Sequence, residues 1–236
     1  MERRKLLVTG CGRSGTAYAS IVWRAAGLDV RHEMPVPPHG TMGKDGMVSW
    51  YMAVEDPHPP YGPSRCDFTF DLVIQQVRHP LAVIPSAAQF LLNHDASRIY
   101  IERNAPQTRP PLRDSLRPRK NRLLLQAMRY WYHWNLLAAA KADETVCVER
   151  LIPSLSRLCR RLGVPLDAAA VDAIPTDLNS RSHYVDQPHW TVGWNDLARL
   201  DRDLCRKVRE LAESYGYDEP DHLSQPRGLS RPRGED

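Results

Sequence analysis

The sequence predicts an α/β protein with a mainly parallel sheet flanked by helices, and three observations predict it. Short apolar runs of strand length alternate with stretches of helical periodicity, the order that builds parallel strands joined by crossover helices. The first run, KLLVT, ends in glycines and leads directly into a helix-forming stretch. The chain of 236 residues, 42% apolar and 25% charged, is also long enough to bury one substantial core, with no internal repeat or linker to divide it.

Each element follows in order. Residues 5–9 (KLLVT) read as a strand buried on both faces. Residues 15–27 carry helix formers and stop at Gly27, a residue suited to a helix C-terminus. LDVRHE (28–33) is a second strand. Residues 34–66 hold seven prolines and four glycines and read as an irregular insertion, too long for a simple connection. FDLVIQQV (70–77) is a third strand, and Pro80 opens a helix expected to run to Asn93. Between Arg98 and Arg122, eight basic residues meet only Glu102 and Asp114 among four prolines, which predicts a long basic loop. A long helix over 122–140, a strand at 145–148, an amphipathic helix over 154–163 and a last helix over 201–215 complete the pattern. Residues 219–236 are polar and Pro-rich and read as a disordered tail, leaving 1–218 as one domain.

Composition narrows the function classes. No apolar run approaches the roughly 20 residues needed to span a bilayer. The start, MERRKLLVTG, lacks the apolar core of a signal peptide, so a cytoplasmic protein without a membrane span is expected. The five cysteines, Cys11, Cys66, Cys147, Cys159 and Cys205, form no C-x-x-C pair, which argues against a disulfide framework and against zinc. Cys11 reads as a small residue filling a tight turn rather than as a reactive thiol. The net charge of +4 is mild, and no nucleic-acid partner is expected.

The motif that carries chemistry is Gly10-Cys11-Gly12-Arg13-Ser14-Gly15-Thr16. Gly10, Gly12 and Gly15 fit the dinucleotide fingerprint G-x-G-x-x-G, with Glu33 placed where a ribose-binding acid would sit. The same residues fit a shortened phosphate loop, in which Arg13, two hydroxyls and several backbone amides face an anion at a helix N-terminus. A dinucleotide site favours small residues between its glycines, whereas Arg13 projects from this turn. The loop is also not a Walker A sequence, which ends in G-K-[ST]. A second motif, VRHPLAVIPS (77–86), sets Arg78 at a strand end, Pro80 at a helix start and Ser86 a little over two turns along.

The pair of motifs resembles the sulfotransferase family, whose members use 3′-phosphoadenosine 5′-phosphosulfate as donor. Arg13, Ser14, Gly15 and Thr16 match that family's [KR]-S-G-T loop, and Arg78, Pro80 and Ser86 match its R-[DN]-P…S motif with His79 as a departure. YWYHWN (130–135), VCVERL (146–151) and the C-terminal stretch from HWTVGWNDL to ESYGYD are similar to later family features, so the resemblance covers residues 5–218. Val148 and Arg150 depart from the family's tyrosine and aspartate, and its R-K-G stretch is absent, with NSRSH (179–183) the nearest basic candidate.

The resemblance implies a P-loop NTPase-like architecture and in-line transfer of a sulfuryl group to a hydroxyl or amine of a small-molecule or carbohydrate acceptor. It assigns Gly12, Arg13, Ser14, Gly15 and Thr16 to the 5′-phosphosulfate and Arg78 and Ser86 to the 3′-phosphate, with no metal. Arg13 is expected to act in catalysis. Glu33 is the leading acceptor-side base, His32 the second and His94 the third. The 34–66 insertion, with Met42, Met47, Trp50 and Tyr51, and the basic loop 98–122 are candidate acceptor walls. A P-loop kinase would need a Walker lysine and a magnesium-binding acid; a non-catalytic nucleotide-binding protein would lack the base.

Overall fold

The computed structural model describes residues 2–32, 43–50, 68–175 and 190–217. Among them, five strands form one wholly parallel sheet: β1 (Glu2–Gly10), β2 (Val30–His32), β3 (Gly46–Val48), β4 (Phe68–Val77) and β5 (Glu144–Cys147). Their order across the sheet is β2-β3-β1-β4-β5. The expected α/β class is the observed one.

Strands β1 and β4 form the spine, with Leu6 opposite Leu72, Val8 opposite Ile74 and Gly10 opposite Gln76. Alternation along a strand then sends the even-numbered residues of both to one face. There Leu6, Val8, Leu72 and Ile74 pack with Val22 and Trp23 of α1 (Thr16–Ala25) and Leu155 of α5 (Leu151–Arg161). The opposite face is covered by α4 (Arg119–Ala139), which packs with α2 (Pro80–Ser86), α7 (Trp194–Leu200) and α8 (Arg202–Ser214) around Tyr130, Trp131 and Trp134. Gln75 and Gln76 interrupt the apolar run of β4 and are nevertheless buried. Each donates a hydrogen bond through its side-chain nitrogen, while Gln76 Oε1 is buried without a partner among the described residues. Gln75 Nε2 donates to the Asn135 carbonyl at 2.8 Å, and Gln76 Nε2 donates to the Ser14 carbonyl at 2.7 Å.

Four expectations need correction. The insertion at 34–66 is not wholly irregular, because Gly46–Val48 forms β3 between β2 and β1. Three residues are too few to show a period. Gly46 permits the close pairing, since a Cβ there would lie 1.8 Å from the Leu6 carbonyl oxygen. Met47, an expected acceptor wall, is buried in this strand against Leu7.

The helix opened by Pro80 leaves α geometry after Ser86. Pro85 has no N–H to donate, and Ala87–Leu91 widens into a π turn closed by Leu92 N–H on the Ala87 carbonyl at 2.8 Å.

The basic stretch 98–122 is not one long loop. It begins inside α3 (Asp95–Asn104), passes through single turns at Pro106–Thr108 and Leu112–Leu116, and enters α4 at Arg119. Helical spacing lets Asp95 and Glu102 flank Arg98, at 2.8 and 3.3 Å. Asp114 is buried and pinned by Arg129 of α4 at 2.8 Å and Arg117 at 3.3 Å.

The fourth correction is that two short helices, α6 (Ala168–Asp172) and α7, occupy segments where none was expected. Glu33, Met42, Tyr51, Cys66, the stretch 179–183 and the tail 219–236 lie outside the described residues. None of the described helices is long and apolar enough to cross a membrane.

Candidate anion-binding cleft

The strand order makes the carboxyl end of β1 a switch point. The chain leaves β1 through α1 towards β2 on one side, while β4 and β5 lie on the other. Open α/β sheets bind ligands in the crevice formed where strand order reverses in this way. Into it the chain delivers Cys11–Gly15 from β1 and Arg78-His79 from β4.

A cleft of about 270 Å³ opens there. Gly12, Arg13, Gly15 and Thr16 line it from the first motif, and Arg78 and Ser86 from the second. The two motifs touch, because Arg13 Nε donates to Ser86 Oγ at 2.9 Å. Residues 73 positions apart in sequence thus share one wall. The Arg13 guanidinium also lies over the Phe90 ring, 5.5 Å from its centroid, on the π turn. Arg13 itself is exposed and adopts φ 74°, the left-handed region, the only described non-glycine residue to do so. Such conformations cost about 1–3 kcal/mol and persist where surrounding structure imposes them.

Three contacts impose it. Gly12 N–H donates to Tyr130 Oη at 2.6 Å, Ser14 N–H donates to the Cys11 carbonyl at 3.2 Å, and Gln76 holds the Ser14 carbonyl from below. Gly15, at φ 81°, turns the chain into α1, and a Cβ there would stand 2.9 Å from Val148 Cγ2. Val148, where the family pattern has tyrosine, therefore packs directly against the loop. The first N–H groups of α1 have no intrahelical partner and add positive potential at the same end. Among the described residues lining the cleft there are two guanidinium groups and no carboxylate.

Other residues fall into place around this core. Ser14 is wholly buried, backbone included, and does not line the cleft. His32, at the end of β2, lines the cleft with Nε2 3.0 Å from Thr16 Oγ1. Trp50 and Leu91 line it on another side. His94 is exposed at the start of α3 and does not line the cleft. Glu33 lies outside the described residues. Burial pushes the Cys11 thiol up, against a reactive role.

His79 performs a structural task. Its Nδ1 accepts from Leu81 N–H at 3.2 Å and caps α2, the same service an Asp or Asn would give between Arg78 and Pro80. Its ring packs edge-on against Tyr217, 5.2 Å between centroids. Burial holds its pKa below the usual histidine value, opposed by the Glu149 carboxylate. Two residues that hold the loop, Tyr130 and Gln76, carried no sign in the sequence of their contact with it. The available clues were a polar pair at the end of an apolar strand and a tyrosine within an aromatic helix.

Fold and cleft together define an α/β protein with a basic pocket at the carboxyl edge of a parallel sheet. No protein-family model and no curated protein matches the chain. Among solved structures, a mouse sulfotransferase, SULT7A1, complexed with PAP is similar over 89% of both chains, at a TM-score of 0.39 and 12% identity. At that distance the chemistry of the cleft itself, not the likeness, bears on function.

Proposed function

We propose that the protein is a sulfotransferase that moves a sulfuryl group from 3′-phosphoadenosine 5′-phosphosulfate to a hydroxyl or amine. The observation that carries this reading is the Arg13–Ser86 hydrogen bond, which joins both expected phosphate-binding motifs around one cleft free of described carboxylates. A donor with two separate phosphate groups suits two basic centres on adjacent strands better than a single triphosphate chain does.

Sulfuryl transfer, like phosphoryl transfer, asks the protein for positioning and electrostatic stabilisation as charge builds on the leaving oxygen. Arg13 stays charged and offers several donors to the bridging and terminal oxygens. The backbone amides of Gly15 and Thr16 face the same anion. Arg78 and Ser86 hold the second phosphate. The leading acceptor-side base is Glu33, and the alternative is His32, paired with Thr16 at the cleft wall. The acceptor is a small molecule or carbohydrate, and the site operates in the cytoplasm without a metal.

The test is release of adenosine 3′,5′-bisphosphate from the donor in the presence of phenolic, alkyl-hydroxyl and amine acceptors. Wild-type protein should release it with at least one of them. Arg13→Ala should lower the rate by about 10²–10³, the loss typical of a removed transition-state donor. Undiminished release by Arg13→Ala would remove this residue from the chemistry, and no release by wild type would contradict the reading.

A further inference from the structure

The basic stretch that the cleft does not use has its own architecture. Leu112 and Leu116 stand on one turn and are 90% and 91% exposed, the two most exposed large apolar residues described. On this 3₁₀ turn, residues four apart point about 120° from one another, so the two leucines project separately from its outer surface. Exposed Arg109, Arg113, Arg119 and Lys120 surround them in sequence. Of the two acids in this stretch, Asp114 is buried and paired with Arg129, and Glu102 is paired with Arg98, so neither offsets them. The Asp114–Arg129 ion pair fixes the turn to α4, so the leucines are presented by an anchored element.

Behind the turn lies a second groove of about 380 Å³, separate from the anion-binding cleft. Leu112, Ser115, Asn93, Arg119 and Arg122 line it, and its two carboxylates, Asp95 and Glu102, are paired with Arg98. Arg119 Nη2 donates to Asn93 Oδ1 at 2.5 Å, which steadies its guanidinium at the rim.

We infer that this face docks onto an anionic lipid surface: Leu112 and Leu116 enter the acyl boundary while Arg119 and Arg122 receive acidic headgroups. Apolar tips ringed by cations match the two forces that hold peripheral proteins on membranes, burial of apolar area and attraction to anionic lipid. A soluble polyanion would satisfy the arginines and leave the leucines in water. An apolar protein groove would satisfy the leucines and leave the arginines unpaired. The inference is independent of the proposed reaction, since no residue of the cleft takes part.

Cosedimentation of the full chain with phosphatidylcholine vesicles, with and without phosphatidylserine, tests it. The protein should bind the vesicles that contain phosphatidylserine and leave the neutral ones in solution. Leu112→Ser combined with Leu116→Ser should weaken that binding at least about tenfold, the order expected from withdrawing two leucines from an apolar phase. Arg119→Gln with Arg122→Gln should weaken it by about twenty-five-fold, at roughly fivefold per basic residue. Both leucines are solvent-exposed, so the melting temperature should not move. Free glycerophosphoserine should fail to bind, which separates a bilayer from its headgroup alone. Absence of vesicle binding would overturn the inference. So would binding that survives the leucine substitutions, which would assign the face to a soluble polyanion, and so would equal binding to both vesicle types.

Discussion

In the proposed reaction Arg13 and Arg78 divide the work of the cleft, and the division is measurable residue by residue. Arg13 is held in a left-handed turn and reaches across to Ser86, whereas Arg78 leaves the end of β4, with its carbonyl accepting from Trp131 Nε1 at 3.2 Å. Arg78→Ala should therefore weaken binding of adenosine 3′,5′-bisphosphate by about tenfold to a hundredfold, the value of one charge-assisted contact. Binding of adenosine 5′-monophosphate should hardly change. Ser86→Ala should show the same preference, more weakly. Equal losses for both nucleotides, measured by calorimetry, would mean that these residues do not read the 3′-phosphate. Arg13, Gly15, Thr16, Arg78 and Ser86 were legible in the sequence because their residue types and spacing carry a chemical demand. Tyr130 and Gln76 were not, since a hydrogen bond spanning 118 or 62 positions leaves no local pattern.

At the scale of elements, the helix that carries Ser86 depends on an unusual cap. His79 must be neutral at Nδ1 to accept from Leu81 N–H, and burial favours the neutral form by lowering its pKa. In the unfolded chain the imidazole takes up its proton near the ordinary value of about 6.5. As pH falls through that value, the unfolded state binds the proton before the folded state does, so stability is lost towards acid. Above it, both states are neutral and the contribution is complete. His133, whose pKa burial also lowers, adds to the same slope. Replacing His79 with Asn keeps a capping oxygen and removes one titration. Thermal melts of His79→Asn between pH 7.5 and 5 should thus show a shallower loss than wild type, by less than one proton taken up on unfolding. Identical slopes would show that His79 does not titrate across folding.

The elements also show what sequence periodicity can and cannot reach. Strands β1 and β4 were visible because each carries an apolar run of strand length. Strand β3 was not, because the three residues Gly46–Val48 have no period, and its place in the sheet comes from pairing with β1. The basic stretch misled in the opposite sense. Its prolines and charges suggested a loop, but Arg98 finds acids one turn away on either side and Asp114 finds Arg129 across the fold. Pairings of that kind turn a charged segment into a fixed one, and only the first is written in local spacing.

At the scale of the whole molecule, the sheet order brings two basic centres to one edge, and the central claim is that this edge binds a nucleotide phosphorylated at both the 3′ and 5′ positions. The alternation of strands and helices made that architecture legible; the merging of the two motifs into one wall needed the β1–β4 pairing to be seen. The most direct measurement is calorimetric titration of the full chain with adenosine 3′,5′-bisphosphate, ATP–magnesium and NAD. Binding of the bisphosphate without appreciable binding of the other two is the predicted result. Preferential binding of ATP–magnesium or of NAD would contradict it, and so would failure of the bisphosphate to bind.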